Sequence, residues 1–188
     1  NKKSMQKQKK SSTTIKDLYT IENLNNTVTL YNAIIIYKYK NSAIIKQKNN
    51  RAIFLYKEAK DLKLGNVYDI QVKKLKRYNG LKEIVKTDKT VFKKEYENYK
   101  SLYLNANSVN ILNLKYQNEI ITNLEATYIK GYLFYKYKKQ TKKIKLYAKE
   151  MSLLPKSGQK ITIMSGHLGY FKSKIQITIY KKSDISVN

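Results

Sequence analysis

The sequence predicts an all-β chain built from two tandem copies of one small five-stranded barrel, the second shortened, with short capping helices. Three observations predict it. Leu55-Tyr56 recurs as Leu146-Tyr147 and the turn glycine Gly65 as Gly158, 91 and 93 positions on. The run Ile34–Lys40 (IIIYKYK) is matched by Tyr132–Lys138 (YLFYKYK), 98 positions on. Around these anchors the apolar residues alternate in runs of strand length, separated by Gly and Asn turns.

Taken in order, residues 1–13 are polar and basic with no apolar core, and are expected to be a disordered tail. The first domain is expected over 14–94. Thr14 can cap a helix from Ile15 to Leu24, where Ile15, Leu18, Tyr19 and Ile21 have loose helical spacing. Thr27–Lys40 reads as a long strand that must bend, and Ala33, matched with Gly131, supplies a small residue at the bend. Asn41-Ser42 turns the chain, Ala43–Lys48 is the second strand, and Asn49-Asn50 leads into a third at Arg51–Lys57. Comparison of the copies places Ile53 and Leu55 inward with Ile144 and Leu146, and Phe54 and Tyr56 outward. Glu58–Leu62 leaves room only for a turn. Gly65 opens the fourth strand, in which Ile70 and Val72 point inward. Tyr78-Asn79-Gly80 turns into the fifth strand at Leu81–Val85.

Leu62-Lys63-Leu64-Gly65 and Tyr78-Asn79-Gly80, set between five strands of this spacing, resemble OB-type domains. The nearest resemblance is to those attached to secreted bacterial nucleases and found in tandem in envelope proteins. The resemblance implies a five-stranded Greek-key barrel whose second and third strands form the ligand face.

A linker is expected over 95–106, charged and Tyr-rich, without the Gly and Ser of a flexible one. The second domain is expected over 107–188. From Tyr37 to Tyr56 is 19 positions, but from Tyr135 to Tyr147 only 12. On that alignment the second copy lacks one strand between its first and third. Its later turn also departs, reading Tyr170-Phe171-Lys172-Ser173.

Composition narrows function. The chain has 188 residues, 39 basic against 13 acidic, and a net charge of +26. Such a surface attracts polyanions across a Debye length of about 8 Å, although the Lys, Asn, Ile and Tyr bias also reflects an AT-rich genome. With 0 Cys there are no disulfides or thiolate metal sites. No apolar run reaches the roughly 18 residues of a membrane span. The chain begins at Asn1 rather than Met, as a removed leader or a trimmed chain would leave it, and the compartment expected is secreted or cell-envelope rather than cytoplasmic.

Catalysis finds no signature. The single His167 sits near a turn, where Lys74 sits in the first copy, and is expected on the surface. The carboxylates (Glu95 and Glu97, Asp17 and Glu22, Asp61 and Asp69) recur at no acid–base or metal-binding spacing. Gly166-His167-Leu168-Gly169 lacks the Lys-Ser/Thr ending of a phosphate loop. No enzyme activity, cofactor or metal is expected.

The function expected is binding of nucleic acid, single-stranded and without sequence preference, or of another polyanion, through basic and aromatic residues. The alternative is a secreted or envelope protein whose OB domains contact protein or glycan. The candidate contacts in the first copy are Lys38, Lys40, Lys46, Lys48, Arg51, Phe54, Tyr56, Lys76, Arg77 and Tyr78. Those in the second are Lys136, Lys145, Tyr147 and Tyr170. The first copy is expected to dominate, because it keeps the full-length second strand.

Overall fold

The structure, a computed structural model, describes residues 12–188; most of the expected basic tail lies outside them. Five strands close the first barrel in the order β1-β2-β3-β5-β4. They are β1 (Val28–Tyr39), β2 (Ser42–Lys46), β3 (Ala52–Leu55), β4 (Asn66–Tyr78) and β5 (Leu81–Glu95). The β3–β5 pair is parallel and all other pairs are antiparallel, with β1 against β4 closing the ring. That is the strand order of an OB barrel. Ile53, Leu55, Ile70 and Val72 are all fully buried in its core. β1 bends at a bulge between Leu30 and Ala33, where Asn32 takes a left-handed φ of 54° and fully buried Ala33 tucks inward.

One end of the barrel is capped by α1 (Ile15–Leu18), which sinks Ile15 and Leu18 into the core. Thr14 and Asp17 form its capping box. The helix stops at Leu18, six residues short of the expected Leu24, and Tyr19 beyond it donates its hydroxyl to Ala52 O at 2.5 Å.

The second half is a nine-stranded sheet in the order β14-β11-β8-β9-β10-β13-β12-β7-β6. Its members are β6 (Leu104–Asn105), β7 (Ile120–Thr122), β8 (Leu124–Ile129), β9 (Tyr132–Tyr137), β10 (Gln140–Ala148), β11 (Lys160–Ile163), β12 (Gly166–Phe171), β13 (Lys174–Ile179) and β14 (Ile185–Val187). Ile144, Leu146, Ile161 and Ile163 lie in its core.

Within this sheet the pairing of the first barrel recurs. β8, β9 and β10 form a meander, β10 runs parallel to β13, and β13 pairs with β12. β7 joins β8 through Asn123 alone, and β11 joins β12 through Met164-Ser165. Leu55 lies opposite Ile84 in the parallel pair of the barrel, and Leu146 opposite Ile177 in that of the sheet. Gly65, at φ +82°, donates its N–H to Ile35 O; Gly158, at φ +96°, donates to Tyr128 O. A left-handed glycine thus ties the entry of the fourth strand to the first strand in both halves.

Two expectations are corrected here. Tyr132–Tyr137 pairs with β8 and β10, as β2 pairs with β1 and β3, so it takes the place of a second strand and not a first. The strand matching β1 lies upstream, in β7 and β8. Gly131 is accordingly no bend partner of Ala33. It forms a two-residue hairpin turn with Lys130, at φ 92° and 45°.

Candidate nucleic-acid interface

The outward face of β2 and β3 in the first barrel is where the sequence places a ligand. The second half covers it. Ile44, Ala52, Ile34 and Val67 join Ile120 in a buried cluster, with Phe54, Tyr39, Tyr103 and Tyr180 packed against it. Phe54 points outward as expected, but the His167 ring stacks on it, centroids 5.4 Å apart. Lys46 is buried and its Nζ stands 2.8 Å from Glu119 Oε2. Burial pushes the Glu119 carboxyl up, and the Lys46 ammonium opposes the shift.

The covered seam is polar as well as aromatic. His167 is buried rather than on the surface. Its Nε2 lies 2.8 Å from Asn118 Oδ1 and its Nδ1 2.8 Å from Tyr180 Oη. Asn118 Nδ2 donates to Lys82 O and to Tyr19 Oη, and Gln117 Oε1 accepts from Lys82 N. Tyr37 donates its hydroxyl to buried Asp184 at 2.6 Å. The expected linker is ordered in this seam, with Tyr103 donating to Ile36 O. Two side-chain networks and a stacked ring therefore fill the place of a ligand on this face.

The other first-copy candidates are scattered. Lys38 Nζ donates to Leu62 O at 2.6 Å. The Arg51 guanidinium lies 3.4 Å above the Tyr19 ring. Arg77 holds Glu22 at 2.9 Å and also donates to Tyr19 O. Lys40, Lys48, Tyr56, Lys76 and Tyr78 are exposed; Lys40 lies over Tyr39, Lys48 over Tyr96 and Lys76 over Tyr78. Tyr170 covers Gly80 in the turn of the first barrel and belongs to the seam.

The matching face of the second half is open. On β9, Leu133 and Tyr135 point into the core, which turns Tyr132, Phe134 and Lys136 outward. On β10, Ile144, Leu146 and Ala148 point in, which turns Lys143, Lys145 and Tyr147 out. The register sets Lys145 beside Tyr132, Lys143 beside Phe134 and Thr141 beside Lys136. Gln176 of β13 continues the row next to Lys145. Tyr147 is 45% and Tyr132 39% exposed. Lys143 Nζ sits 5.0 Å from the Tyr132 centroid, and Lys136 Nζ donates to Thr141 Oγ1. β9, β10 and β13 contain no Asp or Glu. The result is a row of interleaved cations and rings on three strands without a carboxylate, with exposed Glu125 on the neighbouring β8.

Lys136, Lys145 and Tyr147 were legible as candidates; Tyr132 and Phe134 were missed. Their signal was the alternation Tyr132-Leu133-Phe134-Tyr135-Lys136, hidden while this run was read as a first strand.

No protein-family model matches the chain, and no curated protein matches it. Several solved structures are similar in fold. A murine DNA-binding protein bound to double-stranded DNA is 13% identical, covering 86% of this chain and 95% of that one, with a TM-score of 0.47. The tetrameric p202 HIN2 domain is 11% identical over 87% of this chain and 92% of that one, with a TM-score of 0.42. The Ifi202 HINa domain in complex with 20-bp double-stranded DNA is 13% identical over 88% and 96%, with a TM-score of 0.39. At these scores the likenesses extend to neither ligand nor mechanism.

Proposed function

We propose that the protein is a non-catalytic nucleic-acid-binding module whose working surface is the β9–β10 face of its second half. In this reading the nine-stranded sheet is a second OB barrel with broken first and fourth strands. The first barrel serves as its rigid support. The observation that carries the reading is the open row of Lys136, Lys143 and Lys145 interleaved with Tyr132, Phe134 and Tyr147, on strands without a carboxylate.

The chemistry follows from the side chains. Three ammonium groups neutralise phosphates and release counterions. Exposed tyrosines offer ring faces on which unpaired bases stack, at about 1–3 kcal/mol per base and with little sequence preference. The stacking term favours a single strand, because duplex bases are already stacked; the charge term favours neither form over the other in this way.

The test is titration of labelled single-stranded and duplex oligonucleotides across a salt series. The reading expects tighter binding of the single strand, with each of Lys143→Ala and Lys145→Ala flattening the slope of log K against log salt by about 0.7. Equal affinity of wild type and both variants at every salt concentration would contradict it.

A further inference from the structure

A groove of about 390 Å³ lies on the first barrel, and it shares no residue with the β9–β10 face. Its volume is within the roughly 300–1,000 Å³ of small-molecule clefts. Ile34 and Val67, neighbours across β1 and β4, lie buried beneath it. Tyr31 comes from the β1 bulge and Tyr96 from just past β5. Lys48, on the loop after β2, and Lys94, opposite Val67, bring two ammonium groups. No carboxylate lines the groove, and neither lysine is in a salt bridge among the described residues.

The groove is built in advance of any occupant. Gln47 accepts from Ile15 N and donates to Tyr31 O, both at 2.8 Å, locking the bulge to the loop. Asn50 Oδ1 accepts from Lys16 N and Arg51 N. Lys48 is held 4.1 Å from the Tyr96 centroid. Tyr31 is 51% exposed in the β1 bulge. Asn32 and Asn49 flank the groove with left-handed φ angles of 54° and 55°, a conformation asparagine adopts readily at bulges and turns.

We propose that this groove is a second site, for a nucleoside phosphate, with the base against the exposed Tyr31 ring and the phosphate between Lys48 and Lys94. An inorganic anion would leave the exposed Tyr31 ring unused. A neutral apolar ligand would leave two ammonium groups unanswered. A planar base joined to a phosphate satisfies both. It could come from a free nucleotide or from the 5′-phosphorylated end of a strand.

The experiment is calorimetric titration of the whole chain with AMP, adenosine and inorganic phosphate at low salt, repeated on Tyr31→Ala, Lys94→Gln and Tyr147→Ala. All three positions are exposed, so folding is retained. AMP is expected to bind more tightly than adenosine or phosphate. Tyr31→Ala weakens AMP and adenosine about fivefold or more; Lys94→Gln weakens AMP and leaves adenosine unchanged. The losses from Tyr31→Ala and Lys94→Gln are expected to persist in the Tyr147→Ala background, which separates this site from the β9–β10 face whichever way that reading falls. Tighter binding of a 5′-phosphorylated oligonucleotide than of its 5′-hydroxyl counterpart in the Tyr147→Ala background assigns a strand end; equal binding assigns the free nucleotide. Absence of AMP binding at millimolar concentration, or equal AMP affinity in wild type, Tyr31→Ala and Lys94→Gln, overturns the proposal.

Discussion

His167 lies nearly parallel to Phe54, the planes 27° apart and the centroids 5.4 Å apart. One ring comes from β12 and the other from β3. This contact places the only histidine in the packing between the halves, on the outward aromatic of the first barrel. Phe54→Ala therefore acts on stability. It opens a cavity in the seam and costs about 3 kcal/mol, near the lower end of buried Phe truncations. Urea denaturation should show the loss, while oligonucleotide affinity of the still-folded variant stays at the wild-type value.

The seam also makes stability depend on pH in two opposite directions. Burial lowers the His167 pKa from its ordinary 6.5 to about 3. The unfolded chain takes up a proton below 6.5 that the folded chain cannot, so this contribution is full above 6.5 and lost as pH falls towards 3. Burial raises the Glu83 carboxyl from 4.5 to about 7, against the pull of Lys76. Its contribution is full below 4.5 and lost as pH rises through 7. Urea midpoints between pH 4 and 8, on the order of a unit apart, should separate the two. Glu83→Gln steepens the rise of stability with pH between 4.5 and 6.5. His167→Asn removes that rise and leaves a decline. Parallel curves for both variants would refute this assignment.

Lys46 and Glu119 form a buried pair across the seam. Removing either charge alone leaves the other buried without a partner, at a cost of about 3–5 kcal/mol. Lys46→Met with Glu119→Leu should recover most of it. A double-mutant cycle by chemical denaturation measures the coupling; additive losses would show that the pair is not coupled.

Gly80 is a further point of contact between the halves. A Cβ there would stand 2.1 Å from Tyr170 Cε1, and its φ is +93°. Gly80→Ala is expected to destabilise by about 1–3 kcal/mol through overpacking. Adding Tyr170→Ala relieves the clash but not the backbone strain, so the pair should be partly rescued relative to the sum of the single changes. Melting curves of the four proteins check it.

The two cores were legible in the sequence because both halves repeat one pattern of inward residues. Ile70 and Ile163 lie 93 positions apart, as do Gly65 and Gly158, and all four sit where the repeat puts them. The first strand of the second half was not legible. Tyr132–Lys138 is the better match in letters to Ile34–Lys40, although its register makes it a second strand. The Asn79-Gly80 turn shows the reverse. Lys172-Ser173 replaces it, yet both residues keep left-handed φ angles, at 45° and 67°. The covering of Phe54 and Lys46 was hidden for a different reason. An outward side chain carries the same alternation in the sequence whether water or a second unit lies over it.

The choice of face is tested most directly by comparing Tyr147→Ala with Phe54→Ala in single-stranded oligonucleotide binding, each across the same salt series. The account predicts that Tyr147→Ala weakens binding by about 1–3 kcal/mol with an unchanged salt slope, since a ring releases no counterions. It predicts no change for Phe54→Ala. Loss of affinity in Phe54→Ala with none in Tyr147→Ala would contradict the account and return the binding surface to the first barrel.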